Sequence, residues 1–287
     1  MPGILYLCAT PIGNLGDMTY RAVQTLKEAD LIAAEDTRNS IRLLQHFDIH
    51  VPMTSYHEYN KIEKGRKLVE KLLEGQTIVL ISDAGMPGIS DPGQELTAMC
   101  IEAGIRVSVL PGASAGLTAL VMSGLSSRRF CFEGFLPSEK EDKKARRAVL
   151  DRLAAETRTT IFYEAPHRLV RTLEALEEAA DPDRQIAVCR ELTKKHEDTF
   201  RGTLAQASRF YSENVPRGEF VLILEGASAA GLEAEDRASW QKIPLKEHVQ
   251  LYLNQGMERK EAMKAAAKDR GISKRDVYAQ LLEQDGP

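Results

Sequence analysis

The strongest constraint on the fold is a repeated pairing: a short, almost continuously apolar run, then a loop dense in glycine and proline. Residues 4–9 (ILYLCA) run into 10–17 (TPIGNLGD), 77–82 (TIVLIS) into 82–93 (SDAGMPGISDPG), and 106–110 (RVSVL) into 110–118 (LPGASAGLT). Runs this short and this apolar suit strands buried on both faces. Helical periodicity fills the intervals at 19–29, 39–47, 61–73 and 94–103, and short segments at 31–34 and 51–53 extend the strand set. Strand alternating with helix predicts a mostly parallel sheet with helices on both faces. The first loop is longer than the ~2–6 residues that usually join such elements, so it is expected to do more than connect.

Beyond Pro111 the rhythm changes. A helix at 114–122 leads to strands at 129–135, 159–163, 185–190 and 219–224, interleaved with helices at 140–155 and 169–180. This predicts a second α/β or α+β unit. The expected division is an N-terminal α/β domain at 1–115 and a C-terminal α/β domain at 116–226. A small, acidic linker (ASAAGLEAEDR and the residues after it) follows at 227–240, then a helical region at 241–287 with helices at 245–253, 259–270 and 274–282. That last region carries nine basic against seven acidic residues.

Composition narrows the function classes. With 43% apolar and 28% charged residues the chain suits a soluble globular protein with a real core. A net charge of −4 argues against nucleic-acid binding driven by bulk electrostatics and leaves room for a local basic face. Cys8, Cys100, Cys131 and Cys189 lack metal or redox spacing and are expected as reduced, mostly core residues, and no metal site is expected. The N-terminus lacks a signal-peptide pattern and no run is long enough for a membrane span, so a cytoplasmic protein without a membrane partner is expected.

The loops are where chemistry is expected. Ligands of open α/β sheets bind at the carboxyl ends of the strands. In 10–17, Gly13 and Gly16 permit close backbone approach and Pro11 stiffens the entry. No dinucleotide or P-loop glycine pattern occurs. The 82–93 loop has its path fixed by three glycines and two prolines, leaving backbone groups for a ligand. The 110–118 loop fits a ligand at a helix start and a tight helix–sheet contact equally well. In FYEAPHR at 162–168, Phe162 and Tyr163 are placed to wall a planar ring, while His167 also suits a solvated surface. Further polar clusters lie at 35–38 (EDTR), 55–60 (SYHEYN) and 190–197 (RELTKKHE).

Taken in order, TPIGNLGD, LIAAEDTR, SYHE, LISDAGMPGISDPG, LPGASAGLTAL, GFLP, FYEAPHRL and RELTK resemble the tetrapyrrole methylase family, and within it the bacterial methyltransferases of small-subunit ribosomal RNA. The resemblance covers about 4–225 and extends to KEAMKAAAKDRGISKRDVY in the tail. It implies a two-domain α/β, class III methyltransferase with a small helical C-terminal appendage, usually a homodimer, that holds S-adenosylmethionine between its domains. Its substrate would be a cytidine ribose 2′-oxygen in small-subunit ribosomal RNA, as free RNA or as a particle. Carried over residue by residue, the resemblance implies that Asp83, Ala84, Gly85 and Pro87 form the cofactor loop. Thr10, Pro11, Ser114, Phe162, Tyr163, Glu164 and Ala165 are expected to shape the same pocket. Members of this type more often read SDAGTP; here Met86 replaces the threonine.

Methyl transfer to a hydroxyl is a direct displacement that depends on alignment, with general-base help as an equal alternative. Asp36, His57, Glu58 and Glu164 are the candidates for orienting the substrate or accepting its proton. RNA phosphates are expected to meet Lys143, Lys144, Arg146 and Arg147 of SEKEDKKARR (138–147), with Arg168, Lys194, Lys195 and the basic tail. Two other readings remain open: a porphyrinoid or corrinoid C-methyltransferase of the same fold, and a non-catalytic cofactor- or RNA-binding module.

Overall fold

The computed structural model describes residues 1–140 and 142–284, and these form ten strands, twelve α-helices and a 3-10 turn at Leu15–Asp17. Glu141, inside the expected basic stretch, and 285–287, at the end of the expected helical region, lie outside the described residues.

The first half builds a five-stranded, all-parallel sheet. Its elements are β1 (Ile4–Cys8), α1 (Tyr20–Glu28), β2 (Leu31–Ala34), α2 (Thr37–His46), β3 (Met53–Ser55), α3 (Lys61–Leu73), β4 (Ile78–Ile81), α4 (Gln94–Glu102) and β5 (Arg106–Leu110). The strand order is β3-β2-β4-β1-β5. Leu5 pairs with Ile78 on one side and Val107 on the other. The two faces bury separate apolar clusters. Leu5, Leu68, Leu72, Leu80 and Leu96 pack on one, and Cys8, Leu26, Ile32, Leu44 and Ile81 on the other. Residues of the two clusters alternate along β2 and β4 and share β1, which is why these runs are apolar throughout. From β1 the chain crosses β4 to reach β2, and from β4 it crosses β1 to reach β5. The connections leave these two adjacent strands in opposite directions, so a crevice opens at their carboxyl ends.

A helix, α5 (Ala115–Ser123), leads into a second five-stranded sheet. It is built from β6 (Phe130–Phe135), α6 (Lys143–Leu153), β7 (Thr159–Glu164), α7 (Leu169–Ala179), β8 (Gln185–Arg190), β9 (Asp198–Thr203), α8 (Leu204–Glu213) and β10 (Phe220–Leu224). Its order is β6-β7-β10-β8-β9, with β6 parallel to β7 and every other pair antiparallel. Ala119 and Leu120 of α5 bury against Ile161, Ala187, Val221 and Ile223 of this sheet, and Ile12 of the first loop joins the same cluster. That cluster fixes the β1 loop against the second sheet. Both sheets belong to one compact unit, Met1–Ala154 with Arg158–Glu225.

The second compact unit comprises Ala155–Thr157 and Gly226–Pro287. Its helices are α9 (Ala229–Gln241), α10 (Leu245–Asn254), α11 (Arg259–Arg270) and α12 (Lys274–Gln284). Leu245, Val249, Ala262, Met263, Ala266 and Val277 form its core. The linker expected at 227–240 is instead largely α9. Its alanine- and glutamate-rich sequence favours helix, and the Ser228 Oγ accepts from the Gly231 N–H at 3.3 Å as N-cap. No helix among the described residues is long and apolar enough to cross a membrane.

Candidate functional site

The site begins with two loops tied together. Thr10 N–H donates to the Gly85 carbonyl at 2.9 Å and Gly85 N–H returns the bond to Thr10 at 3.0 Å. The Thr10 hydroxyl donates to the Ser82 carbonyl at 3.1 Å, and the Ser82 hydroxyl to Gly85 O at 3.2 Å. Thr10 is therefore buried, and its hydroxyl carries structure. Gly85 has φ +85°, a conformation open to glycine and strained for other residues. The third loop closes in as well: a Cβ on Gly112 would stand 2.9 Å from the Ala9 Cβ.

These loops and the carboxyl end of β7 enclose a cavity of about 370 Å3, an ordinary size for a small-molecule site. The first sheet contributes Ile12, Glu35, Asp83 to Met86, Ile89 to Asp91, Ser114 and Ala115. The second contributes Phe135, Tyr163 to Pro166, Leu192, and Glu219 to Val221. Backbone strain gathers at its edge: among the described residues, Ser90, Glu191 and Thr193 are three of four non-glycine residues with positive φ. Tyr163 forms a fixed aromatic wall. Its ring meets Phe132 and Phe135 edge-on at 5.0 and 5.8 Å, and its hydroxyl accepts from Gly116 N–H at 3.2 Å.

Negative charge is concentrated here. Burial, with the nearby Asp83 carboxylate next in weight, raises the Glu35 pKa. Burial, then Glu35 and Asp83, pushes Asp91 up to about 7.

Residues 5–208 match the family of Tetrapyrrole (Corrin/Porphyrin) Methylases. The chain belongs to this family. It is 49% identical to the ribosomal RNA small subunit methyltransferase I of Synechocystis over 98% of both chains. The protein of that name from Bacillus subtilis is also 49% identical, over 96% of this chain and 93% of the relative. Among solved structures the methyltransferase CobJ aligns with a TM-score of 0.59 at 20% identity, covering 79% of this chain and 95% of its own. Diphthine synthase aligns with a TM-score of 0.57 at 14% identity, covering 77% and 89%. These likenesses carry the tetrapyrrole methylase fold.

Within this tetrapyrrole methylase, the expected cofactor residues fall into two groups. Asp83, Ala84, Gly85, Ser114, Tyr163, Glu164 and Ala165 line the cavity. Thr10, Pro11, Pro87 and Phe162 do not. Thr10 holds the loop from behind, Pro11 precedes the lining Ile12, and Pro87 is buried inside the loop. Phe162 points to the opposite face of its strand, into the core with Leu169 and Leu173, as the two-residue period of β7 requires.

The expected proton acceptors are placed differently again. Asp36 is the N-cap of α2, accepting from Arg38 N–H at 2.9 Å and ion-paired to the same guanidinium at 2.7 Å, which lowers its pKa to about 2. His57 and Glu58 stand outside the lining: Asn60 contacts the His57 Nε2 at 3.1 Å, and Glu58 pairs with Lys61 at 2.6 Å. Glu164 reaches the cavity with its carboxylate already engaged. Thr172 donates to it at 2.6 Å, Ala165 N–H at 2.8 Å, and Arg168 lies at 3.4 Å. Asp91 and Glu219 are lining residues the sequence reading left unassigned, and Glu35 was noted only within the polar cluster at 35–38. The doubled Ser-Asp of SDAGMPGISDPG was the available signal for Asp91.

The basic residues also divide. Lys143, Lys144, Arg147 and Lys195 are exposed. Arg146 donates to the Pro137 carbonyl at 3.2 Å, Arg168 to the Leu136 carbonyl, and Lys194 bridges Glu191 and Glu219 at 2.9 and 2.7 Å. These three hold loops in place.

Proposed function

We propose that this chain transfers a methyl group from S-adenosylmethionine to the ribose 2′-oxygen of a cytidine in small-subunit (16S) ribosomal RNA, working as a cytoplasmic homodimer. The observation that carries this reading is the extent of likeness. Relatives called ribosomal RNA small subunit methyltransferase I from Synechocystis, Bacillus subtilis and Escherichia coli cover 96–99% of the chain. The corrinoid-type structures cover 77–79% of it. Identity to those ribosomal relatives is 44–49%, against 15–20% for the corrinoid-type structures, which favours an RNA substrate over a macrocycle.

The cavity fits the cofactor. Glu35, Asp83 and Asp91 set negative charge where a sulfonium and an ammonium group are stabilised by it. Ile12, Met86, Ile89, Leu192 and Val221 supply apolar surface for an adenosine, and Ala84 and Gly85 leave the loop backbone open to it. When bound, the cofactor supplies a methyl carbon already activated by its sulfonium. Met86, where a threonine is usual, offers a thioether in place of a hydroxyl and keeps the turn, whose path is set by Gly85, Pro87 and Gly88.

The protein's part is then alignment. The tie between Thr10 and Gly85 and the packed ring of Tyr163 hold opposite walls still, and small errors in such geometry cost large factors in rate. Outside the cavity, exposed Lys143, Lys144 and Lys195, with Arg147 paired to Asp151 at 2.7 Å beside them, are placed to meet phosphates, contacts that set register on the RNA.

A nucleotide-resolved map of 2′-O-methylation in small-subunit RNA, with and without this protein, tests the reading. One cytidine is expected to lose its methyl group when the protein is absent and to regain it on addition of protein and labelled cofactor. An unchanged map, with label passing to a corrinoid precursor, overturns it. Light scattering at micromolar concentration is expected to return twice the chain mass.

A further inference from the structure

Five carboxylates line the cavity, and their surroundings differ in one respect that matters for proton transfer. Asp83 accepts from the Asp36 backbone N–H at 3.1 Å and from the Asn39 amide at 2.9 Å. Burial and the Asp83 charge raise the Glu35 pKa, against the nearby Asp83 backbone amide and His57, which lower it. Glu164 is satisfied by Thr172 and Ala165, and Glu219 by the Lys194 ammonium. Among the described residues, Glu35 and Asp91 are the two of the five with no side-chain hydrogen bond and no ion pair, and Asp91 alone of these two has no neighbour that favours its charged form. A carboxylate that already accepts from several donors is a poor base, because those bonds stabilise its charged form. One without donors keeps its lone pairs for an incoming proton.

Asp91 is also placed for this by its backbone. It follows Ser90, whose φ of +61° turns the loop back on itself, and it precedes Pro92 and Gly93 at the start of α4. Glu35 from the end of β2, Asp83 from its own loop and Tyr163 from β7 of the second sheet line the same cavity; the first two charges add to burial in raising the Asp91 pKa, and Asp91 in turn adds to the rise that burial gives Tyr163. No cation is among these neighbours. We propose that Asp91 is the catalytic base that takes the proton from the substrate hydroxyl.

This rests on the methyl-transfer reading above. As the bond between the 2′-oxygen and the methyl carbon forms, the bond between that carbon and sulfur breaks and its electron pair stays on sulfur. The hydroxyl proton passes to an Asp91 Oδ, which leaves a neutral carboxylic acid, a neutral thioether and the methyl ether. The neutral acid then returns its proton to solvent through the cavity mouth. Burial and the charges of Glu35 and Asp83 push the Asp91 pKa up to about 7. That basicity is matched to proton transfer near neutral pH, where general-base help is worth roughly 10²–10⁴-fold.

Asp91→Asn and Asp91→Glu are the variants to compare with the wild type, each checked for fold by circular dichroism. In the free protein, carbon NMR of labelled aspartates is expected to show one side chain titrating near 7, and that signal should vanish in Asp91→Asn. Calorimetry is expected to find both variants still binding S-adenosylhomocysteine, with Asp91→Asn weakened by the lost charge, and transfer is therefore read with the cofactor saturating. Single-turnover transfer to small-subunit particles should fall about 100-fold or more in Asp91→Asn and lose its acid limb. Asp91→Glu should recover part of the rate with a shifted limb. A variant Asn enzyme with wild-type rate and limb overturns the assignment, as does a rate loss fully explained by weaker cofactor binding. A wild type inert on every small-subunit substrate overturns the parent reading and this one with it.

Discussion

At the scale of single residues, neighbours in sequence do opposite things. Glu164 ends β7 with its carboxylate buried, and the bonds from Thr172 and Ala165 tie the strand to α7. Its task is to hold the turn that presents Tyr163 and Ala165. Glu164→Gln should therefore cost roughly 1.5–3 kcal/mol of stability, read as a lower urea midpoint, since charge-assisted bonds to a buried group are lost. Gly85→Ala should strike the cofactor wall more directly. An alanine at φ +85° is strained by about 1–2 kcal/mol, and its Cβ would sit 3.4 Å from the Ile12 methyl. We expect cofactor affinity to drop at least ~10-fold in calorimetry; an unchanged affinity would remove the loop tie from the site. The pair Glu35–Asp36 shows what a linear reading misses. Asp36 carries the signature of a helix cap and is used as one, whereas Glu35, one residue earlier, lines the cavity beside Asp83. Nothing local separates them, because the choice is made by residues far along the chain.

At the scale of elements, what was legible followed from apolar continuity. The strands buried on two faces announced themselves, and the three glycine- and proline-rich loops after β1, β4 and β5 were correctly expected at the mouth of the first sheet. β9 and α8 were not visible in the sequence. Asp198–Thr203 (DTFRGT) is an edge strand with one neighbour, half-exposed and polar, so it lacks a two-residue apolar alternation. The acidic run at 227–240 was equally misleading, since its lack of large apolar residues resembles a linker while its propensity is helical. Ser228→Ala should lower the stability of the C-terminal unit by about 1 kcal/mol through loss of the α9 cap, seen by chemical denaturation. α6 gives a sharper test of RNA binding. Lys143, Lys144 and Arg147 face solvent, with only Asp151 near Arg147 at 2.7 Å. Reversing all three to glutamate should weaken binding to small-subunit RNA. It should also flatten the plot of log affinity against log salt by about 0.7–0.9 for each phosphate that is no longer neutralised. A slope equal to that of the wild type would place α6 away from the phosphate path.

At the scale of the whole molecule the chain is two compact units with different polar interiors, and pH should separate them. The C-terminal unit buries His248 completely, with its ring stacked on Trp240 at 4.0 Å and 3°. Arg270 Nε donates to His248 Nδ1 at 3.1 Å, and Nε2 faces the Asp269 carboxylate at 3.2 Å. Nδ1 thus acts as acceptor and the ring is neutral with its proton on Nε2. A second proton would have to displace the Arg270 bond beside a fixed positive charge. Burial, then Arg270, lowers the folded pKa against the opposing pull of Asp269. The sign follows directly. Below an unfolded value of about 6.5 the unfolded chain binds a proton that the folded unit refuses, so stability present at higher pH is lost as pH falls toward the folded value. Trp240 is the single tryptophan in the chain, so its emission reports this unit without interference. The urea midpoint followed by Trp240 emission should be flat above about pH 7.5 and fall between about 7.5 and 5.5. In His248→Gln, whose amide can still accept from Arg270 and donate to Asp269 without titrating, the midpoint should stay level over that interval. An equal fall in both proteins would mean that acid acts on this unit through other groups, and the buried histidine would be no more than packing.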